Sequence, residues 1–457
     1  MINYKKYFKD KKITIMGLGL LGRSIAYTKF LAECGAQLTV TDLKSREMLS
    51  TSINLLSKYR NIKFVIEEHR LMDFQKADMI IKSGGVPLDS IYIKEAKKNK
   101  IPVEMDASLF AKLAPEVTVI GVTGTRGKTM TTMLIYEILK ANEKFLKRKV
   151  YVGGNVRGGA TLPLLGKVKS SLPAGRQGDI VVLELDSWQL QGFGEAKISP
   201  TISVFTTFMP DHMNYYKDDM KKYFEDKANI FKYQKAGDTL IIRPDMKKLI
   251  QKNIKSKLIV VKAQDTSGYK FIVPGKYQNE NLACAIKVSK LFKVSDVAIK
   301  KSVKNFKGVE GRLQYVKTVK GVKIYNDNNA TTPEATVSGL EALGKKKNII
   351  LIAGGADKGL DTEALEKAIN KYCKKVVLLK GTGTDKLISK NKFKVPIMLT
   401  SSINEALKNA LYNGKESLPA GRQGDILLFS PAFASFGMFT NEYDRNDQFM
   451  KIIKKLK

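Results

Sequence analysis

Short apolar runs that end on Gly, Asp, Asn or Ser alternate along this chain with longer stretches whose apolar positions recur at helical spacing. Such alternation predicts strands buried on both faces and joined by helices, an α/β fold with parallel sheets. A first block carries runs at residues 13–16, 37–41, 64–66, 79–82 and 101–103, with a helical stretch to about Cys34. A second begins near Asp106, with a strand at 117–122, a helix from about 128 to 140, and further strands at 180–184 and 201–206. A third begins around Arg312, with strands near 322–326, 348–353, 375–379 and 425–430. Open sheets of this class hold ligands at the carboxyl ends of their strands, and these ends are rich in Gly, Asp and Ser.

Two glycine clusters lie at such ends. Gly17-Leu18-Gly19-Leu20-Leu21-Gly22 stands between a strand and a helix, and Asp42 closes the next strand. The glycines permit a tight turn and close backbone approach to a pyrophosphate at a helix N-terminus, and the acid stands about twenty residues further on. The pattern points to a nucleotide diphosphate more than to NAD, and a ligand-free strand–helix turn is its bland alternative. The second cluster, Gly121-Val122-Thr123-Gly124-Thr125-Arg126-Gly127-Lys128-Thr129, contains a G-x-x-G-K-T core, with Val122 where the longer phosphate-loop pattern has glycine. Its backbone N–H groups can cradle phosphate oxygens, Lys128 can neutralise the β and γ phosphates, and the Thr129 hydroxyl can ligate Mg²⁺.

Glu184 ends an apolar strand, where a carboxylate is costly unless a cation balances it; it is a Mg²⁺ candidate or a solvated strand end. His212, one of two histidines, follows Asp211 after another strand and could hold Mg²⁺ or substrate, or be structural. Lys227 is not distinguished by residue type among so many lysines.

The nonapeptide Ser-Leu-Pro-Ala-Gly-Arg-Gln-Gly-Asp occurs at residues 171–179 and again at 417–425, each time before an apolar strand. Strict identity between unlike flanks is not the drifted similarity of a structural repeat. Both copies read as inserted, solvent-exposed loops without a catalytic role.

The length, 457 residues, suggests about three domains. A net charge of +35, from 79 basic and 44 acidic residues, raises a nucleic-acid reading. The excess is lysine spread along the chain in short runs such as Lys345–Lys347, with about a dozen arginines, no basic tail and no basic stripe interleaved with aromatics. Arginine is the residue that reads phosphates and bases bidentately, so a solvated lysine surface is expected and no nucleic-acid partner. The positive field would speed capture of small polyanions. Cys34, Cys284 and Cys373 are too far apart to suggest a zinc site or a disulfide framework. No apolar run approaches the ~20 residues of a spanning helix, and residues 1–12 lack a signal-peptide pattern. A cytoplasmic protein without membrane insertion is expected.

The order of the pieces V-T-G-T-R-G-K-T, E-L-D-S-W-Q-L, D-H-M-N-Y and then Lys227 resembles the Mur ligase family of peptidoglycan synthesis. The likeness runs on through Gly308–Arg312, Asn326-Asp327, Gly354-Gly355-Ala356-Asp357-Lys358 and Ser430-Pro431-Ala432-Phe433-Ala434-Ser435-Phe436, essentially the whole chain. It implies three domains: a Rossmann-like domain at 1–105 for a UDP-linked substrate, a central P-loop ATPase-like parallel sheet at 106–308, and a C-terminal Rossmann-like domain at 309–457 for the incoming amino acid. The implied ATP site is Gly124, Thr125, Arg126, Gly127, Lys128 and Thr129, with Asn281 and Arg312 on adenine and phosphates and Asp327 on the ribose. Thr129, Glu184, His212 and a carbamylated Lys227 would hold two Mg²⁺ ions, and Lys128, His212 and Lys227 would serve catalysis. Gly17, Gly19, Leu20, Leu21, Gly22, Asp42, Ser83, Gly84 and Asn155 would bind the UDP-linked substrate, and Thr331, Lys358 and Ser435 the amino acid.

The activity implied is ATP-dependent addition of D-glutamate to UDP-N-acetylmuramoyl-L-alanine through an acyl phosphate, by a monomer; the alternative is a different amino acid on the same scaffold. An NAD-dependent dehydrogenase would leave the Gly124–Thr129 loop unexplained. Three departures from the family pattern stand out: Tyr277 and Gln278 where His and Asn are usual, Asn329 where Lys is usual, and Glu442 where an aromatic is usual.

Overall fold

The computed structural model describes residues 3–20, 22–169, 171–172, 176–250, 254–275, 277–345, 347–390, 392–411 and 424–456. Leu21, Lys346 and residues 417–423 of the second nonapeptide lie outside them. The chain divides into two compact units, one of residues 1–270 with 279–305, the other of residues 271–278 with 306–457.

The first unit holds two parallel sheets. β1 (Lys12–Met16), β2 (Gln37–Asp42), β3 (Ile62–Ile66), β4 (Met79–Lys82) and β5 (Val103–Glu104) assemble in the order β3-β2-β1-β4-β5. β6 (Thr118–Thr123), β7 (Val150–Gly154), β10 (Ile180–Glu184), β11 (Ile202–Phe205), β12 (Thr239–Ile242) and β13 (Lys257–Val260) form a sheet of order β13-β12-β11-β6-β10-β7. β8 (Ser171–Leu172) and β9 (Arg176–Gln177) make a separate antiparallel ribbon. β10 is buried at every position, as a strand covered by helices on both faces must be. One apolar core, including Ile15, Leu31, Phe110, Leu165, Val181 and Leu183, runs through both sheets.

In each sheet the strand that leads into a glycine cluster is flanked on both sides by strands that come later in the chain. β1 lies between β2 and β4, and β6 between β10 and β11. Crossovers that leave in opposite directions open a crevice at the strand's carboxyl end. Both glycine clusters follow these two strands directly, and in each the last glycine takes a left-handed conformation at the start of the next helix: Gly22 (φ 81) before Arg23–Glu33 and Gly127 (φ 84) before Lys128–Ala141.

The second unit contains β14 (Gln314–Val319), β15 (Val322–Asn326), β16 (Ile349–Gly354), β17 (Cys373–Leu379), β18 (Ile397–Thr400) and β19 (Ile426–Phe429), in the order β14-β15-β19-β16-β17-β18. Only the β14–β15 pair is antiparallel among its described strands. Separate apolar clusters cover its two faces, one around Ile352, Phe429 and Phe449, the other around Leu351, Leu378 and Leu428. Among the described residues, no helix is long and apolar enough to cross a membrane.

The interior strands match the apolar runs of the sequence. β7, β13, β14 and β18, which no run predicted, are all sheet edges, where one flank needs no covering and polar residues are tolerated. β12 is the interior exception, and the strand expected at 101–103 forms only at Val103–Glu104.

The first nonapeptide ends on Asp179, 1% exposed, at the amino end of β10. Its carboxylate accepts from the backbone N–H groups of Lys149 and Lys169, both at 2.9 Å. The second copy ends on buried Asp425 at the amino end of β19, paired with Lys374. Each copy thus ends on a buried aspartate that leads into the amino end of a parallel strand. Replacing Asp179 by Ala leaves two amides without their acceptor and should cost about 2–3 kcal/mol. The denaturation midpoint is expected to fall while affinity for ATP, whose site is expected at the far end of the strand, is retained.

Candidate active site

The loop after β6 is held by the extension of β11. Thr125 N–H donates to the Thr207 carbonyl at 2.8 Å, and Arg126 N–H to Thr207 Oγ1 at 2.8 Å. Thr206 Oγ1 donates in return to the Arg126 carbonyl at 2.6 Å, and Thr125 Oγ1 to the Met209 carbonyl at 3.1 Å. Gly124 sits where the two segments meet, with φ 144; a Cβ there would lie 2.1 Å from Thr206 Oγ1 and 2.8 Å from Thr207 N. No side chain fits that position, which is the physical reason for the first glycine of the core motif.

Two lysines converge on this glycine. Lys128 Nζ donates to the carbonyls of Gly124 and Thr125 at 3.0 and 3.1 Å. Lys227, on the helix Met220–Ala228, donates to the same Gly124 carbonyl at 3.0 Å. Lys227 is 1% exposed and lies over the Tyr223 ring, whose hydroxyl is 3.3 Å from Thr125 Oγ1. Burial, reinforced by the nearby Lys128 charge, brings the Lys227 amine down to about 7. Residue type had not set it apart; its position does.

Glu184, 1% exposed, ends β10 beside the loop, and its carbonyl accepts from Asn155 N–H at 2.7 Å. Gly154 makes this approach possible, since a Cβ there would meet the Glu184 carbonyl oxygen at 2.1 Å. His212 takes a left-handed conformation (φ 56) and packs its ring 4.7 Å from that of Trp188. Burial keeps its imidazole below the ordinary value, with Lys128 and Lys227 adding to the effect, so its ring lone pair is available near neutral pH. Asp211 lies 3.8 Å from His212 Nε2 and 3.9 Å from the Arg126 guanidinium. Thr129 is half-buried on the first turn of the helix Lys128–Ala141. A carboxylate, a neutral imidazole and a hydroxyl are donors that suit Mg²⁺, whereas Lys227 as an ammonium is not. Asn281 closes the back of the loop: its Oδ1 accepts from Thr131 Oγ1 at 3.3 Å, and a Cβ on Gly127 would lie 2.5 Å from that oxygen.

At the other crevice, Gly17 and Ser83 meet at the ends of β1 and β4, where a Cβ on Gly17 would be 2.4 Å from Ser83 Oγ. Asp42 is buried and accepts from Gly19 N–H at 3.0 Å and Lys44 N–H at 3.0 Å, so it shapes the glycine turn. Leu20 and Gly22 belong to the same turn. Gly84 lies against Trp188, a Cβ on it falling 3.7 Å from Trp188 Cβ. Arg23 donates to Asn155 Oδ1 at 2.8 Å, which connects this turn to the central sheet. Sequence reading passed over Arg23, Thr206 and Thr207; the adjacent threonines directly after β11 were the available signal for the last two.

In the second unit, Lys358 Nζ donates to Thr331 Oγ1 at 3.0 Å, which brings two of the expected amino-acid ligands together. Ser435 is buried and Arg312 exposed. Asp327 accepts from Leu313 N–H at 3.0 Å and Ser430 Oγ at 2.8 Å, and burial pushes its carboxyl up to about 7. Both of its oxygens are thus engaged within this unit. Buried Arg445 donates to the Asn328 side chain at 2.8 Å and the Asn328 carbonyl at 3.0 Å, beside the Asn329 that replaces the family's lysine.

A model described as Mur ligase MurD-like, N-terminal domain matches residues 11–104, one described as Mur ligase middle domain matches 122–303, and one described as Mur ligase, glutamate ligase domain matches 311–433. A Borreliella burgdorferi protein named UDP-N-acetylmuramoylalanine--D-glutamate ligase is 35% identical over 98% of this chain and 98% of its own length. Proteins of the same name from Clostridium acetobutylicum and Roseiflexus sp. are 33% and 32% identical, over 99% and 97% of this chain and 98% of theirs. The chain belongs to the Mur ligase family. The family's three-domain α/β fold recurs in solved structures. The UDP-N-acetylmuramate-alanine ligase of Thermotoga maritima aligns with a TM-score of 0.60 at 18% identity, covering 98% of this chain and 100% of that one. The MurF ligase of the same organism in complex with ADP aligns at 0.54 and 18%, covering 91% and 94%.

In this Mur ligase, Gly124→Ala would force a methyl into the Thr206 hydroxyl and the Thr207 backbone. Titration with ADP is expected to show at least about a tenfold loss of affinity, with circular dichroism unchanged, because the clash is confined to the loop.

Proposed function

We propose that this Mur ligase joins D-glutamate to UDP-N-acetylmuramoyl-L-alanine at the expense of ATP. The observation that carries the reading is the Gly124–Thr129 loop, clamped to β11 with Lys128 and Lys227 on one carbonyl, in a chain whose relatives bear that enzyme's name over nearly their whole length. A carboxylate is a poor acyl donor because oxide would have to leave. Its oxygen attacks the γ-phosphorus of ATP, ADP departs, and the acyl phosphate that results has phosphate as its leaving group. The amine of D-glutamate then attacks the acyl carbon, phosphate leaves, and an amide with one released proton remains. Lys128 offsets the negative charge that gathers as the anionic groups approach. The first glycine turn, with Ser83, Gly84 and Asn155, would hold the UDP-linked substrate, and Thr331, Lys358 and Ser435 the incoming amino acid. Asn281 and Arg312 would serve the nucleotide, with Asp327 on its ribose.

Thr129, Glu184 and His212 would hold Mg²⁺, two ions in all, which would supply charge neutralisation at the phosphates. Lys227 would complete this set as a carbamate. An amine brought down to about 7 is neutral in about half the molecules near pH 7, against fewer than one in a thousand for an ordinary lysine. The neutral nitrogen attacks CO₂ and loses one proton, giving a carboxylate in place of a cation. A cytoplasmic location belongs to the same proposal, and three free, buried cysteines support it by suiting a reducing compartment.

Phosphate release measured with UDP-N-acetylmuramoyl-L-alanine, ATP and a panel of amino acids tests the assignment. D-Glutamate should be used at least about a hundredfold better than L-alanine or a diamino acid. Lys128→Ala should stop turnover while precursor binding by calorimetry persists, and turnover with another amino acid but not D-glutamate would refute the substrate. For Lys227, ¹³C-bicarbonate should give a carbamate carbon signal that weakens as the pH falls from 8 to 6, because protonation of the amine removes the nucleophile. The signal should be absent in Lys227→Ala, whose lost activity should return in part with added short carboxylates; full activity of that variant alone would exclude the role.

A further inference from the structure

β4 is Met-Ile-Ile-Lys, and its lysine is as buried as its apolar neighbours: Lys82 is 2% exposed. Enclosing an ammonium is costly, and burial brings this one down to about 8. An apolar residue would close the strand at less cost, so the packing of β4 does not account for the charge.

The partners of Lys82 supply an account. Its Nζ donates to the Val86 carbonyl at 3.0 Å, across the turn that begins with Ser83 and Gly84, and to Gln191 Oε1 at 3.4 Å. Gln191 is buried on the helix Ser187–Glu195, which also carries the Trp188 that touches Gly84. The other end of the Gln191 amide donates to Asp226 Oδ2 at 2.8 Å and approaches Tyr215 OH at 3.1 Å. Asp226 also accepts from Tyr216 OH at 2.9 Å and directly precedes Lys227 on its helix. A second contact between the two sheets' helices runs parallel to this one, Lys97 to Glu195 at 2.7 Å. A continuous polar chain thus leads from the substrate turn of the first sheet to the helix that presents Lys227 to Gly124.

We propose that Lys82 is a positioning residue for the UDP-linked substrate, holding the turn at residues 83–86 through the Val86 carbonyl and fixing that turn, by way of Gln191 and Asp226, to the helix bearing Lys227. The inference rests on the reading that Ser83 and Gly84, at the start of this turn, receive this substrate. A one-ångström drift of the turn would displace the reacting carboxylate from the phosphoryl donor, a loss the amine of Lys82 prevents by bonding both sides.

Initial rates with UDP-N-acetylmuramoyl-L-alanine, D-glutamate and ATP are compared for the natural protein, Lys82→Met, Asp226→Asn and the double variant. Lys82→Met should raise KM for the UDP precursor about tenfold, a larger change than that in kcat, with ADP affinity measured without precursor within about twofold. Asp226→Asn should raise the same KM, and the double variant should exceed the larger single effect by no more than about twofold, since both cut one chain. A packing role alone would lower the melting temperature and leave KM in place. Unchanged KM in Lys82→Met, or KM effects that multiply in the double variant, overturns the inference. Should Lys82→Met fail to fold, Asp226→Asn and Gln191→Met carry the same KM test, and unchanged KM in both overturns it. If the natural protein itself neither binds nor uses the precursor, the substrate reading falls and this inference with it; if it does and the variants match it, only the inference falls.

Discussion

The carbonyl oxygen of Gly124 accepts hydrogen bonds from two lysine amines, Lys128 from the helix behind the loop and Lys227 from the helix beside it. One oxygen serves both through its two lone pairs, and its residue, pressed against Thr206 and Thr207, has no room for a side chain. Around this atom three segments far apart in the chain hold fixed relative positions: the turn after β6, the extension of β11 and the helix Met220–Ala228. The loop's shape is therefore set by contacts within the protein, with the N–H groups of Thr125 and Arg126 bonded to Thr207.

Two positive groups so close together raise each other's cost, and burial together with the Lys128 charge brings Lys227 down to about 7. A strongly basic chain thus places a near-neutral amine at its centre. Against a net charge of +35, this local loss of charge turns on geometry and not on composition. Burial likewise holds the His212 imidazole below its ordinary value.

The two sheets of the first unit are joined by polar contacts as well as by a shared apolar core. Arg23 to Asn155 and Lys82 to Gln191 both begin at the carboxyl edge of the first sheet and end on elements of the central one. Apolar packing is non-directional and would tolerate sliding, whereas these bonds have direction and fix register. A ligase that must bring a carboxylate in one crevice to a phosphate in the next gains from such a restraint.

The apolar runs were enough to give the α/β class, every interior strand but β12, and the strands that lead into both glycine turns, because a strand covered on two faces must be apolar throughout. The edge strands β7, β13, β14 and β18 escaped, since exposed flanks relax that demand. Glu184 and His212 were readable as strand-end residues of a type that holds metal. Lys227 was one lysine among many until the fold buried it against Gly124, and the hydrogen bonds from the Gly19 and Lys44 amides to Asp42 could not be read from spacing. Lys82 and Gln191 carry no motif at all. Local pattern decides which segments form strands and turns, because it reflects each residue's own conformational and burial preference. Which polar groups share an enclosed space, and hence which lysine loses its charge, is decided only when segments a hundred residues apart pack together.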